Sequence, residues 1–294
     1  MIYDNSKINA VIMAAGTSSR FAPLSRERPK ALIEVRGEVL IERQIRQLME
    51  AGVKDVTVVT GYMGGQFGYL KDKFGVRLIN NPDYLTRNNN STVNAARGLL
   101  GDTYLCSSDN YFTENPFLDP PDGAYYAAVY ADGETGEWCM TEDGEGYINS
   151  VTVGGRDAWY MLGHAFWTKE FSARFLEILD GIYDLPETAG LLWETIYARN
   201  LDSLKMKMRK YPDGFIFEFD TLDELRSFDT SYLDDTRSSI LKSIAARLGC
   251  READIVGVVS YKRENASAAG IRFRVNGKAY EYDYDTQTEK EIRQ

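Results

Sequence analysis

The chain is poor in the residues that build thiol and imidazole chemistry. Its 294 residues include three cysteines and one histidine. Cys106, Cys139 and Cys250 are odd in number and lack C-x-x-C spacing, so they read as reduced thiols of a cytoplasmic protein, not as a disulfide framework. The lone His164 lies in the apolar stretch Leu162 to Trp167 and reads as a satisfied core residue rather than a ligand or base. Basic residues are outnumbered as well: 34 Lys and Arg against 44 Asp and Glu give a net charge of −10. That balance excludes broad nucleic-acid binding, which needs a basic face to neutralise phosphates. No apolar run approaches the roughly 18 residues of a membrane span. The opening, Met1 to Lys7, lacks the apolar core of a signal peptide, so a cytoplasmic chain without a membrane partner is expected. Internal repeats and low-complexity segments are missing too.

What is present is enough for one large domain and a small one. A hydrophobic fraction of 44% supports a real core, and 27% charged residues suit a soluble protein. The first half alternates strand and helix patterns. Ile8 to Ile12 reads as a buried strand. Leu40, Ile41, Ile45, Leu48 and Met49 share one helical face, with Gly52 just past its end. Val56 to Thr60 is a short buried strand, Gln66 to Phe74 is helix-like, and Val76 to Ile79 is a strand. Ser91 is placed to cap a helix running to Leu100, ahead of a strand at Thr103 to Cys106. This spacing implies right-handed βαβ units, a mainly parallel sheet, and ligands beyond the carboxyl ends of the strands.

The middle is richer in strands. Tyr125 to Tyr130, Tyr147 to Val153 and Ala158 to Trp167 are separated by turn residues at Asp143-Gly144 and Gly154-Gly155. They are expected to form an added β region covering the acceptor side. Helical patterns return at Lys169 to Leu179 and Leu191 to Arg199, followed by strands at Lys205 to Arg209 and Phe215 to Phe219. Thr221 and Glu224 form a capping box that starts a helix. After about Tyr232 a polar, acidic stretch marks a boundary, giving domains 1–232 and 233–294. Beyond it, Ile240, Ile244 and Leu248 make an amphipathic helix, and the strand-like runs Ile255 to Tyr261 and Gly270 to Tyr284 flank a loop at Lys262 to Ala269. About 60 residues barely make an independent core, so the appendage is expected to pack on the main domain or on a partner.

The densest chemical signal is Met13-Ala14-Ala15-Gly16-Thr17-Ser18-Ser19-Arg20-Phe21-Ala22-Pro23-Leu24, closed by Pro29-Lys30-Ala31-Leu32. Small residues after a strand let backbone amides approach an anion closely. Arg20 and Lys30 add fixed positive charge within reach, as an acidic protein that handles a polyphosphate requires. The segment is neither a Walker loop nor a G-x-G-x-x-G fingerprint. It resembles the signature of nucleotidyltransferases. Gly61-Tyr62, Arg87 to Ser91, Ser108-Asp109-Asn110-Tyr111, Glu137-Trp138, Phe166-Trp167, Trp193-Glu194 and Glu218-Phe219-Asp220 follow in order. With them, residues 7 to 232 resemble the bacterial CTP:phosphocholine cytidylyltransferases of the sugar-nucleotidyltransferase-like fold.

The resemblance implies a Rossmann-like α/β domain that joins CMP from CTP to phosphocholine, releasing pyrophosphate. It implies that Ala14, Ala15, Gly16 and Thr17 line the nucleotide, with Ser108 nearby. Arg20 would hold the β- and γ-phosphates, and Lys30 the α-phosphate and the acceptor phosphate. Asn88, Asn89 and Ser91 either read the base or form a plain Asn-rich turn capping the next helix. Asp109, a carboxylate at the end of a parallel strand, is the first candidate Mg²⁺ ligand, and the triphosphate supplies further oxygens. Asp220 is the second, or else a flank of the helix cap at Thr221.

A quaternary ammonium cannot donate hydrogen bonds and is held by aromatic faces and carboxylates. Trp138, Trp193, Glu194 and Glu218 are the residues expected to do so, unless the tryptophans are ordinary core. Leu192 stands where relatives carry an aromatic residue, which leaves room for a primary amine such as 2-aminoethylphosphonate or phosphoethanolamine.

Ile271 to Tyr280 resembles the opening hairpin of choline-kinase-like domains. Glu281-Tyr282-Asp283 offers no basic residue for ATP phosphates, and the chain reaches Gln294 before any kinase catalytic loop, so no kinase activity is expected. A sugar-1-phosphate nucleotidyltransferase would show a Glu-Lys-Pro element, which is missing. A non-catalytic nucleotide-binding regulator is the reading of a different class, and the charged set of Arg20, Lys30 and Asp109 argues against it. A homodimer is left open by the sequence.

Overall fold

The computed structural model describes residues 2–262 and 268–292, so most of the loop expected over Lys262 to Ala269 lies outside the described residues. The chain folds as two compact units, Met1–Gly16 with Ile41–Glu218 and Thr17–Leu40 with Phe219–Gln294. This division differs from the one drawn after residue 232 from composition.

The first unit is built on β1 (Asn9–Ala14), β2 (Asp55–Thr60), β3 (Arg77–Asn80), β4 (Thr103–Ser107), β5 (Tyr125–Glu142), β6 (Ile148–Trp167) and β7 (Lys207–Lys210). They form one seven-stranded sheet in the order β7-β5-β6-β4-β1-β2-β3. β1 pairs in parallel with β2 and β4, β2 with β3, and β5 with β7. Only β6 runs antiparallel, to β4 and β5. The mainly parallel α/β sheet expected from the strand–helix alternation is therefore present. Ala10, Val11 and Ile12 are fully buried at its centre, which is why that strand reads as an unbroken apolar run rather than an alternation.

Helix α1 (Leu40–Glu50) buries Ile41, Ile45 and Leu48 along one face. Its polar Glu42 is held by Lys73 at 2.7 Å and Arg46 at 3.3 Å. Gly52, at φ +95°, turns the chain after it. Ser91 does not cap a long helix. It is the second residue of the short α2 (Asn90–Ala95), and a separate tight turn, Arg97–Leu99, follows.

The middle strands differ most from expectation. β5 and β6 are 18 and 20 residues long and pair as a single hairpin, closed at Asp143, whose carboxylate accepts the N–H groups of Glu145 and Tyr147. Gly154 and Gly155 lie inside β6 rather than ending a strand. Gly154 has φ +80°, and a Cβ on Gly155 would meet Cys139 Sγ at 2.8 Å. They mark a bend that lets β5 pass close by. Helices α3 (Lys169–Ile182) and α4 (Trp193–Ala198) complete the unit.

The second unit carries α5 (Leu222–Phe228), started by the expected capping box of Thr221 and Glu224. It also carries α6 (Ser239–Leu248), which buries Leu241, Ile244 and Ala245. β8 (Val256–Lys262), β9 (Ala268–Val275), β10 (Lys278–Asp283) and β11 (Thr288–Ile292) form an antiparallel sheet in chain order. The run Gly270 to Tyr284 is thus a hairpin. Its turn residues Asn276 and Gly277 lie at φ +49° and +78°, the left-handed pair a two-residue turn requires. Among the described residues no helix is long and apolar enough to cross a membrane.

Candidate active site

β1 delivers the chain to its carboxyl end at Ala14, where Ala14 and Ala15 are buried and Gly16 and Thr17 are exposed. The Ala15 carbonyl accepts the Tyr62 N–H at 3.1 Å. Gly61 lies so close that a Cβ there would sit 2.9 Å from the Ala15 oxygen and 2.7 Å from Tyr84 Cγ. Packing therefore demands glycine at 61. Gly16 is different: a Cβ there would meet nothing within 4 Å. The protein itself does not need its smallness, which fits a backbone kept bare for a ligand.

The second unit gathers charge. Ser18, at φ +47°, turns into the tight turn Ser19–Phe21 and leaves the Arg20 side chain 76% exposed. Pro29 leads into the turn Lys30–Leu32, whose buried Ala31 and Leu32 draw the Lys30 side chain down to 5% exposure. Asp220 precedes the N-cap of α5. Its backbone N–H donates to Glu224 Oε2 at 2.6 Å. Its carboxylate engages Arg20 Nη1 at 2.7 Å and Lys30 Nζ at 3.4 Å. The backbone of Asp220 thus serves the cap while its side chain serves the cations. The exposed Arg20 pair contributes little to stability, about 0–1 kcal/mol. The pair at the buried ammonium of Lys30 matters more, because a buried charge depends more on its partners than an exposed one does.

In the first unit the Asn88 to Ser91 run docks onto the chain ahead of α4. Asn88 donates its backbone N–H to the Ala189 carbonyl at 2.8 Å and its side-chain amide to the Gly190 carbonyl at 3.2 Å. Asn89 accepts the Trp193 N–H at 2.7 Å, the first residue of α4, and donates to Glu194 Oε2 at 3.0 Å. The Asn90 amide donates to the carbonyls of Thr188, Ala189 and Leu191. Ser91, buried, accepts from Asn81 at 2.8 Å and donates to the Asn88 carbonyl at 2.8 Å. These side-chain groups are spent on tying two segments together.

The tie shapes an aromatic and acidic cluster. Trp193 is 1% exposed, stacked on Tyr126 at 5.5 Å and set edge-on to Trp167 at 5.2 Å. Glu194 Oε1 accepts the Tyr126 hydroxyl at 3.3 Å. Burial pushes the Glu194 carboxyl up to about 7, against hydrogen bonds from Asn89 and Tyr126 that favour the anion. Tyr126, which the sequence places simply in a strand, lies within the field of three acids. Its phenol is held well above its usual range by burial first, then by the negative charges of Glu194, Glu218 and Asp109. The ribbon formed by Asn110–Phe112 and Ile216–Glu218 sets Asn110 opposite Glu218, which brings Asp109 beside it. Ser108 lies in the turn before Asp109, and Trp138 is half-buried at the margin of the core that holds Trp193. Leu192, half-buried, is the N-cap residue of α4.

Asn110, 2% exposed, has neither side-chain amide atom hydrogen-bonded among the described residues, and its place after Asp109 is the one signal that sequence offers for it. His164 is a core residue as expected but not a fully satisfied one, since its buried Nδ1 has no hydrogen-bond partner among the described residues. The Tyr125 hydroxyl bonds its Nε2 at 2.9 Å, and burial drives it down to about 3.

Among the described residues no group of three or more His, Cys, Asp or Glu is placed to hold a metal ion. Asp109 and Asp220 are single carboxylates. Such hard oxygen donors suit Mg²⁺ when substrate phosphates complete its shell.

Residues 10–114 match the MobA-like NTP transferase domain. Over 231 residues the chain is 33% identical to the 2-aminoethylphosphonate cytidylyltransferase of Lancefieldella rimae, covering 77% of this chain and 94% of that protein. Over 222 residues it is 29% identical to the choline-phosphate cytidylyltransferase of Streptococcus pneumoniae, covering 76% of this chain and 97% of that protein. The solved structure of the CTP:phosphocholine cytidylyltransferase from Streptococcus pneumoniae matches with a TM-score of 0.73 at 29% identity, over 76% of this chain and 98% of that chain.

Proposed function

This chain belongs to the nucleotidyltransferase family that includes those cytidylyltransferases, and we propose that it transfers CMP from CTP to a small phosphorylated amine, with phosphocholine as the first acceptor. The observation that carries this reading is the cluster of Arg20, Lys30 and Asp220, closed at 2.7 and 3.4 Å from segments far apart in sequence. Two cations on one carboxylate are what an enzyme needs to handle a polyphosphate and its counter-ion. We assign the transferase to residues 1–232 and the appendage to 233–294, as the near-complete coverage of the shorter relatives supports.

In the reaction an acceptor phosphate oxygen bonds to the α-phosphorus of CTP as the bond from that phosphorus to the β-phosphate bridging oxygen breaks, and pyrophosphate leaves. The chemistry needs positioning and charge neutralisation rather than covalent help. Two unit charges about 4 Å apart repel by roughly 4 kcal/mol at an effective dielectric near 20, about a thousandfold in rate. Lys30 neutralises the α-phosphate and the incoming acceptor, and Arg20 holds the β- and γ-phosphates. With both cations on phosphate, the Asp220 carboxylate would be available as a metal ligand. Asp109 and Asp220 would hold Mg²⁺, which supplies further neutralisation of the triphosphate. Ala14 to Thr17 present backbone to the nucleotide, with Ser108 beside Asp109.

For the acceptor amine, Glu194 and Glu218 supply negative charge and Trp138 an aromatic face. A second reading is favoured by Trp193 itself. Stacked on Tyr126 and 1% exposed, it leaves little ring face for a methylated ammonium. With Leu192 beside it, a primary ammonium that donates hydrogen bonds to carboxylates fits as well, as in 2-aminoethylphosphonate or phosphoethanolamine. The test is pyrophosphate release with Mg²⁺ and each of four nucleoside triphosphates against phosphocholine, those two primary amines and glucose-1-phosphate. Product masses confirm each transfer. Turnover of phosphocholine with CTP is expected, turnover of primary amines alone selects the second reading, and silence across the panel overturns both.

A further inference from the structure

The two relatives are matched over nearly their whole length, yet the match covers only about three quarters of this chain. The residues after 232 fold into α6 and the β8–β11 sheet, in the same unit as Thr17–Leu40, which carries Arg20 and Lys30. That segment has little structure of its own: tight turns, a four-residue helix and a pair of two-residue strands. Segments of this kind open locally unless something else holds them.

Three ties hold it. Glu27 Oε1 accepts the N–H groups of Ser239 at 2.8 Å and Ile240 at 3.3 Å, and also the Ser239 hydroxyl. A carboxylate there satisfies unpaired donors in the first turn of the ten-residue α6 and meets the positive end of its dipole. The Arg26 guanidinium lies 4.2 Å from the centre of the Tyr284 ring. β8 packs against the Ser19–Phe21 turn that presents Arg20. The other side of the ion cluster is anchored to the same layer. Arg226 of α5, 5% exposed, donates to the carbonyls of Tyr232 at 3.3 Å, Glu252 at 2.7 Å and Ile255 at 2.6 Å. Asp223 accepts the Gly257 N–H at 2.8 Å. Asp220 stands directly before that helix, so both halves of the Lys30–Asp220 pair are fixed to the added residues.

We propose that residues 233–262 and 268–292 act as a brace that sets how tightly CTP is held, with Glu27 and Tyr284 as positioning residues for Arg20 and Lys30. The proposal rests on the assignment of those two cations to the triphosphate. Ordering a loop beforehand removes a cost otherwise met on binding, so the effect belongs in the KM for CTP.

Glu27→Ala and Tyr284→Ala are compared with the parent chain by amide hydrogen exchange over residues 17–32 and by steady-state kinetics. Both variants are expected to exchange faster there and to raise the KM for CTP about three- to tenfold. Their kcat stays within about twofold, and the KM for the acceptor, whose phosphate Lys30 also meets, rises less than that for CTP. Glu27→Gln, which keeps an acceptor oxygen for the Ser239 N–H, restores most of the affinity. Should Glu27→Ala fail to fold by thermal melting, Glu27→Gln and Tyr284→Ala decide. Lys278→Ala, which breaks an exposed ion pair with Glu291 elsewhere in the sheet, leaves both readouts unmoved. An unchanged KM for CTP, whether or not exchange rises, overturns the brace, as does a raised KM with unchanged exchange. A parent chain silent with CTP overturns the functional reading and the brace with it, and needs no variant to be recognised.

Discussion

Lys30 is the buried cation of the proposed site. Its ammonium is 5% exposed and faces a carboxylate that also holds Arg20. Lys30→Met removes the charge while filling much the same volume. It is expected to keep the fold but to lower kcat/KM by about a thousandfold, read by pyrophosphate release. Gly16→Ala separates packing from binding in the opposite way. With nothing within 4 Å of the added methyl, the variant should unfold in urea within about 0.5 kcal/mol of the parent. A weakened affinity for CTP is nonetheless expected; unchanged affinity would remove Gly16 from the nucleotide site. Arg20 and Lys30 were legible because they belong to one continuous run. The pairing of Lys30 with Asp220 spans 190 residues, and only resemblance could suggest it from sequence. Asn89 was ambiguous for a physical reason: an Asn-rich turn reads alike whether its amides meet a base or another loop.

At the level of elements, sequence pattern worked where one face of a segment meets a core. α1 announced itself by Ile41, Ile45 and Leu48, and α5 by its capping box. The outer half of the β5–β6 hairpin did not, because Ala131 to Glu137 are small, polar and largely exposed, so no buried face imposes a period. The short, charged β11 escaped notice for the same reason, and such composition suits the edge of a sheet. Close approach gives the sharpest test at this scale. A Cβ on Gly270 would run into the Tyr282 carbonyl and lie 2.6 Å from Tyr261 Cε1. Backbone cannot yield as a flexible side chain can. Gly270→Ala is expected to cost more than about 3 kcal/mol in urea unfolding.

For the whole molecule, two buried groups set opposing responses to pH. The Glu194 carboxyl is raised by burial to about 7, so the stability it contributes is full below about 4.5 and is lost as pH rises through 7. His164 is lowered by burial to about 3, so its contribution is full above about 6.5 and is lost as pH falls toward 3. Across the shared window the two largely cancel, each changing by roughly 1.4 kcal/mol per pH unit. Glu194→Gln removes one side of the balance, and Tyr126 can accept from the new amide in place of donating. Urea melts should show the variant gaining on the parent by about 1.4 kcal/mol per unit between about pH 5 and pH 7. A constant difference would show that the carboxyl titrates normally. The division into units was not readable from composition either. A local shift in residue type cannot report that Glu27 answers to Ser239, 212 positions later.

That discontinuous second unit orders events during synthesis. Lys30 leaves the ribosome 190 residues before the aspartate that neutralises it. At roughly 5–20 residues per second the wait is about ten to forty seconds. All strands of the first unit except β1 emerge in that interval and can pair while the signature segment still lacks Asp220 and its supporting layer. A nascent chain interrupted anywhere before Asp220 would then carry the two cations without the carboxylate that joins them. In this protein the segment that carries Arg20 and Lys30 leaves the ribosome long before the residues that hold it in place.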